Sequence, residues 1–301
     1  MSTDSKENNI NIRIMTSRHS AFFSPLLIAV KSSFSNNSPI ECTYSVADNK
    51  DDIHKLLIDN QIDIALSAVS LSWRKSFNRE LINFAQINRM DGFFLLRRNN
   101  ISKSNEFNWS DLVSKSIIID QEFDSSTTFK YALFKNDIAL NDVVLINSGS
   151  SENMINEFKS GEGDYIHLQG PDIHQLVNDG YGDIVTSVGK TIGPLSFNSL
   201  ICKNSFIDSN NYLSFINLLN ESKIFTINNK PEIVAEIVLD FFPDIELDVL
   251  INTIISYQKL NCWESNLNIT ENHYDNTLQI FQHYGLKGIY PYSEFVNNGD
   301  S

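Results

Sequence analysis

The residues best suited to chemistry open the segment "TSRHSAFFSPLLIAVKSSF", Thr16 to Phe34. Arg18 and His19 can each donate a charge-assisted hydrogen bond to a carboxylate, sulfonate or phosphate, worth roughly 1.5–3 kcal/mol. The alternative for Arg18 is a surface ion pair worth roughly 0–1 kcal/mol. Ser20 and Ser24 are helix-capping types and could serve only that end. A second cluster, Ser125, Ser126, Thr127 and Thr128, opens another helical pattern, where free N–H groups favour an anion or are simply capped. Asp124 beside it repels an anion, so a neutral or zwitterionic guest fits better. Phe22, Trp73 and Phe197 could stack on a flat ligand or fill a core.

Other chemistries find little support. His167 and His174 stand seven apart on a strand and a helix, so they do not form an i, i+4 metal pair. "GEGDY" lacks the spacing and the Lys of a phosphate-binding loop, and no Gly-x-Ser-x-Gly elbow occurs. Cys42, Cys202 and Cys262 are odd in number and far apart, which predicts buried free thiols rather than disulfides or a zinc site. Arg89, two residues before Asp91, predicts an ion pair at a hinge. Neither a cofactor nor a metal is expected.

These residues need a scaffold. A chain of 301 residues with 42% hydrophobic and 11% aromatic content can bury a large core in one or two domains. The net charge of −14 and pI near 4.8 argue against nucleic acid and anionic membranes as partners. No segment nears about 18 uninterrupted apolar residues, so no membrane insertion is expected. The polar start "MSTDSKENNINIRIM" lacks a basic, then apolar leader. As written, the chain is expected in the cytoplasm; a leader already removed would place it in the periplasm.

Short apolar runs alternate with helical patterns. "NIRIM", "IECTYSV" and "DIALSAV" predict strands, separated by helices over about 22–34 and 51–59; this alternation implies parallel βαβ units. "LINFAQI" and "DGFFLLRR" are expected to extend the same layer, and the polar 97–107 to cross to a second one. There "SIIID", "DVVLINS", "GDYIHLQ" and "DIVTSV" predict strands, with helices at 125–137, 151–161 and 171–180. "KTIGP" predicts a turn and "LSFNSLIC" a returning strand. From 208 the pattern is helical, in four pieces. The expectation is an α/β fold of two lobes with mixed sheets and a ligand cleft between them. Lobe I takes 12–98 and 197–301, lobe II takes 99–196, and 1–11 are disordered.

Several segments, in order, now carry a likeness: "RHSAFFSPL", "QIDIALSAVSLSW", "INRMDGFFLLRR", "FNWSDL", "GEGDYIHLQGP", "VGKTIGPLSFNSL" and "YDNTLQIFQHYGLKGIYPY". From about Ile12 to Val296 the chain resembles the substrate-binding proteins of ABC transporters in the nitrate/sulfonate/taurine and thiamine-pyrimidine-precursor group, which share the type 2 periplasmic-binding-protein fold. The resemblance implies a cleft lined by loops at the C-terminal ends of strands. Carried onto this sequence, these are Ser17, Arg18, His19, Ser20 and Ala21, then Ser67, Ala68, Val69 and Ser70. In the second lobe they are Ser125, Ser126 and Thr127, with Tyr165, His167 and Gln169; Phe197, Asn198 and Ser199 mark the return.

A fungal thiamine pyrimidine synthase shares the fold. By resemblance it carries a Lys and a His where this chain has Ser67 and Leu71, and a Cys-rich run where only Cys202 stands. An imine-forming amine and a set of iron ligands are therefore missing at those positions. Three functions stay open: a solute receptor partnered by an ABC permease and ATPase, as monomer or dimer; a cytosolic dehydratase, lyase or thiamine-precursor synthase using His19 or His167 as acid–base; and a cytosolic ligand sensor.

Overall fold

The computed structural model describes residues 10–35, 38–48, 52–74, 78–99, 101, 106–121 and 124–299. Two five-stranded mixed sheets form two layers. The first contains β1 (Ile10–Thr16), β2 (Ile40–Val46), β3 (Ile64–Ala68), β4 (Leu81–Asn88) and β10 (Asn198–Lys203), ordered β2-β1-β3-β10-β4. The second contains β5 (Phe93–Arg98), β6 (Ser116–Ile119), β7 (Val144–Asn147), β8 (Tyr165–Gln169) and β9 (Gly182–Ser187), ordered β7-β6-β8-β5-β9.

The βαβ expectation holds where strands are separated by helices: β1 pairs in parallel with β2 and β3, and β6 with β7 and β8. Two expectations need correction. β5 does not extend the first layer; it pairs antiparallel with β8 and β9, so the chain crosses at 89–92 rather than 97–107. The reason is burial on both faces: Phe93 to Leu96 are buried and need a second layer around them. Also, Ile10 and Asn11 are strand rather than disordered, held by the register Ile10–Ile40; residues 1–9 of that expected tail lie outside the described residues.

The helices are α1 (Ser24–Ser33), α2 (Ile53–Ile58), α3 (Asp124–Lys135), α4 (Ser151–Ser160), α5 (Asp172–Asn178), α6 (Val188–Ile192), α7 (Asn204–Ile207), α8 (Asn210–Asn228), α9 (Pro231–Val238), α10 (Leu247–Leu260), α11 (Glu271–His283) and α12 (Tyr292–Phe295). α6 replaces the expected turn at "KTIGP", because Ser187 accepts from the Lys190 N–H and caps it. In α1, Leu26 to Val30 are all buried, since β2 lies on one side and α8 on the other. Its end is tied to β2 through Ser33, whose hydroxyl donates to the Val30 carbonyl (2.6 Å) and accepts from the Cys42 N–H (2.8 Å).

The C-terminal helices do more than return to the first lobe. α8 and α9 pack on α1, whereas α10 also reaches α5 and α11 reaches α3, so both lobes are braced. The crossings are close-packed. The Leu195 N–H donates to the Arg89 carbonyl (2.8 Å), and a Cβ on Gly189 would fall 2.2 Å from the Asp91 carbonyl oxygen. Only glycine permits that approach. The expected Arg89–Asp91 pair does not form. Arg89 instead bonds Glu264 (2.8 Å) and the Asn261 carbonyl, while buried Asp91 accepts from the Phe93 N–H (2.7 Å) and the Thr128 hydroxyl (2.6 Å). All three cysteines are free and buried.

Candidate functional site

The strand ends that the two sheets bring together enclose a cleft with two chambers. The first, about 260 Å³, is walled by Phe23, Leu71, Phe93, Phe197 and Ala68, with Ser17, Arg18, Ser67, Arg74, Asp124, Ser125, Gln169 and Asn198 as its polar lining. The second, about 240 Å³, is lined by His19, Asp120, Ser150, Ser151, Gly170 and Asp172. Ser17, Arg18, Phe93 and Gln169 border both, so they form the neck between the chambers.

Among the described residues, direct contacts cross the cleft. Arg18, after β1, pairs with Asp120, after β6, at 2.5 Å. Ser20 donates to the Gly170 carbonyl (2.7 Å), and the Ser70 hydroxyl donates to the Asp124 carboxylate. Burial lowers the Arg18 pKa and Asp120 opposes that shift, so the two charges largely cancel within the protein. Burial raises the Asp124 carboxyl, with the Ser70 hydrogen bond and the cations Arg74 and Arg18 working against it. Asp172 is raised by burial as well.

The polar wall of the first chamber has a further property. Ser67 Oγ, Ser125 Oγ and Asn198 Oδ1 are buried and have no hydrogen-bond partner among the described residues. Leaving such a group unpaired costs about 1–3 kcal/mol. β3, β10 and the start of α3 supply these three atoms from both lobes. Asn88 of β4, in register with Asn198, has both side-chain polar atoms unpartnered in the same way.

The opening segment divides its labour. Ser17 and Arg18 reach the cleft, Ser20 caps the short 3-10 turn Ala21–Phe23 by accepting from the Phe22 N–H (3.1 Å), and Ala21 and Phe22 enter the core. His19 faces the second chamber with both ring nitrogens committed, Nε2 to the Phe241 carbonyl and Nδ1 to the Tyr44 hydroxyl, each at 2.8 Å. A carbonyl only accepts, so Nε2 carries the proton and Nδ1 accepts from Tyr44. Burial lowers the His19 pKa, and the ring stacks on Phe242 at 4.4 Å.

Of the remaining sequence candidates, Ser67, Ala68, Ser125, Gln169, Phe197 and Asn198 line the first chamber. Ser70 is spent on Asp124; Val69, Ser126 and Tyr165 are buried in packing, and Thr127 is half-buried beyond the lining. Ser199 donates to Asn83 within the first sheet (2.6 Å), and Trp73 bonds the Tyr274 hydroxyl in the core (2.8 Å). His167 sits between Phe93 and Phe129, ring centroids 4.7 and 4.9 Å away, behind the chamber wall. Burial pushes its pKa down to about 3, and the Arg18 charge adds to the shift.

Phe23, Leu71, Arg74, Phe93 and Asp124 were not among the predicted lining residues, nor were Asp120, Ser150, Ser151, Gly170 and Asp172. The rule that found Ser17 and Ser67 also reaches Asp120, Ser150 and Gly170, which follow β6, β7 and β8. Phe93 had its own sign: in an alternating strand Phe93 and Phe94 must face opposite sides.

Two mixed sheets of these orders, with strand ends facing a shared cleft, make up the two-lobed periplasmic-binding-protein fold. No family model matches the chain. It is similar, at 25% identity over 97% of its length and 89% of the other's, to "Putative binding protein YtlA" of Bacillus subtilis (strain 168). Solved structures share the fold, two of them among the most similar. One is the zinc-bound ligand-binding component of an ABC-type import system from Staphylococcus aureus (TM-score 0.75, 15% identity, 96% of this chain and 97% of that one). The other is the periplasmic nitrate-binding protein NrtA of Synechocystis PCC 6803 (TM-score 0.74, 11% identity, 97% and 87%).

Proposed function

We propose that the chain is a receptor that closes over a small polar or aromatic solute, neutral or zwitterionic, and presents it unchanged to an ABC permease and its ATPase. The observation that carries this is the set of unpartnered buried atoms, Ser67 Oγ, Ser125 Oγ and Asn198 Oδ1, on residues that line a cavity from both lobes together with Phe23, Phe93 and Phe197. Such a lining makes hydrogen bonds to a guest while the rings cover its apolar faces. Arg18 is neutralised by Asp120 and Asp124 faces the same chamber, which disfavours a bare inorganic anion. In this reading one lobe comprises 10–88 and 197–299 and the other 93–187, and the receptor acts outside the cytoplasmic membrane.

An acid–base enzyme on this scaffold is less well supported. His167 lies behind Phe93 with its basicity suppressed, and both His19 nitrogens are engaged. Among the described residues, no helix is long and apolar enough to cross a membrane, in keeping with a separate permease.

The test is a thermal-shift screen of amines, sulfonates, pyrimidines and aromatic acids, followed by mass spectrometry of the bound compound. A ligand at 100 times its Kd stabilises by about 2.7 kcal/mol. Ser125→Ala and Asn198→Ala are each expected to weaken that ligand about tenfold, the loss of one good hydrogen bond. Recovery of a chemically altered compound would reject the receptor reading in favour of an enzyme.

A further inference from the structure

A second groove lies apart from the cleft and shares none of its lining. It runs between β9 and α10, about 460 Å³ in volume, with Met90 of the first crossing and Phe94 of β5 along it. Phe93 faces the cleft and Phe94, its neighbour, faces this groove, because successive strand residues point to opposite sides of the sheet. Ile184, Val185, Thr186 and Ser187 line it in unbroken succession. The pairing of β9 with β5 shifts register between Leu95 and Leu96, a bulge at Val185 that breaks the alternation and lets consecutive residues of β9 border one groove. β9 is the last strand of its sheet, with β5 on its inner side only. α10 packs on α9 and α5 and forms the facing wall, while α5 and α6 contact β9 itself.

The charge of this groove differs from that of the molecule. The chain carries 37 acidic against 23 basic residues, yet the lining has two lysines, Lys190 and Lys259, and no carboxylate. Both lysines are exposed, and neither makes an ion pair among the described residues. The same lining carries Met90, Phe94, Ile184 and Leu260, which pack together on the main core cluster and form an apolar floor of the kind that covers a hydrocarbon or aryl body.

We propose that this groove is a second binding site, for a small organic anion with an apolar body, such as an acyl or aryl carboxylate. The carboxylate sits between Lys190 and Lys259, and the body lies along β9 against Met90 and Leu260. Its walls come from the second sheet and from α10, which also packs on the first lobe, so the occupant spans the crossing between lobes.

The experiment uses the full chain with octanoate as probe and octylammonium as the charge-reversed control, each titrated by calorimetry. Amide shifts in a nitrogen-15 spectrum locate the contact. Octanoate is expected to bind and to move the amides of Thr186, Ser187 and Lys259 while leaving Ser67 and Ser125 in place. Lys190→Glu with Lys259→Glu should weaken octanoate at least tenfold without changing the melting temperature, since both side chains are exposed. Equal binding of octylammonium, no detectable octanoate binding, unchanged affinity in the charge-reversed protein, or shifts confined to the cleft would each overturn the proposal. None of these outcomes bears on the solute cleft, whose test uses other residues and other compounds.

Discussion

Consider His167→Leu, a change of nearly equal volume in a ring packed between Phe93 and Phe129. Neither ring nitrogen has a hydrogen-bond partner among the described residues, and burial holds the pKa down at about 3 against 6.5 for a free side chain. A histidine that must be neutral when folded contributes its full stability above pH 6.5 and loses it as pH falls towards 3. With those two values, the unfolded chain gains the proton first, and the folded state loses about 2 kcal/mol between pH 7.5 and pH 5. Down to pH 3 the loss amounts to about 4 kcal/mol. Leucine does not titrate, so urea unfolding at pH 7.5, 6 and 5 should show the variant losing about 2 kcal/mol less than the natural chain over that range. Because His167 lies behind the chamber wall, affinity for a cleft ligand at pH 7.5 should stay within about twofold. An unchanged pH slope would refute the buried, neutral ring. A large loss of affinity or of turnover would instead return His167 to the ligand-binding role expected from its sequence.

Other outcomes follow from the same geometry. Asp91, fully buried at the crossing with its pKa raised to about 7, ionises on unfolding but not on folding below that pH. Its stabilisation is thus present at low pH and declines by about 4 kcal/mol as pH rises from 3.8 to 7, so Asp91→Asn should flatten that part of the curve in urea titrations. Asp120→Asn removes the partner of Arg18 across the cleft. That ion pair joins the two walls of the cleft, so its loss should favour opening, and small-angle scattering should report a larger radius of gyration than for the natural chain. Gly189→Ala puts a methyl group 2.2 Å from the Asp91 carbonyl oxygen and should cost at least about 2 kcal/mol in unfolding experiments, since backbone rather than a flexible side chain must yield.

Strand periodicity and helix boundaries depend on near neighbours, and these were legible in the order of residues. "IECTYSV" is β2 residue for residue, and the four helices expected after 208 fall within a few positions of the pattern, with the short α12 unforeseen. The acidic balance, the isolated cysteines and the polar clusters at Arg18 and Ser125 also came from local order, whereas Ser17, Ser67, Gln169, Phe197 and Asn198 were reached through the resemblance to binding proteins. What local order could not decide was partnership. Arg18 meets Asp120 over 102 positions, Arg89 turns from nearby Asp91 to Glu264, and His19 spends its nitrogens on Tyr44 and Phe241. Sheet membership is of the same kind: "DGFFLLRR" reads as a strand wherever it goes, and only the pairing of β5 with β8 and β9 puts it in the second layer. A residue's type and spacing fix which bonds it can make and which side of an element it occupies; which partner is within 3 Å depends on how distant segments pack, and that was settled by the tertiary structure alone.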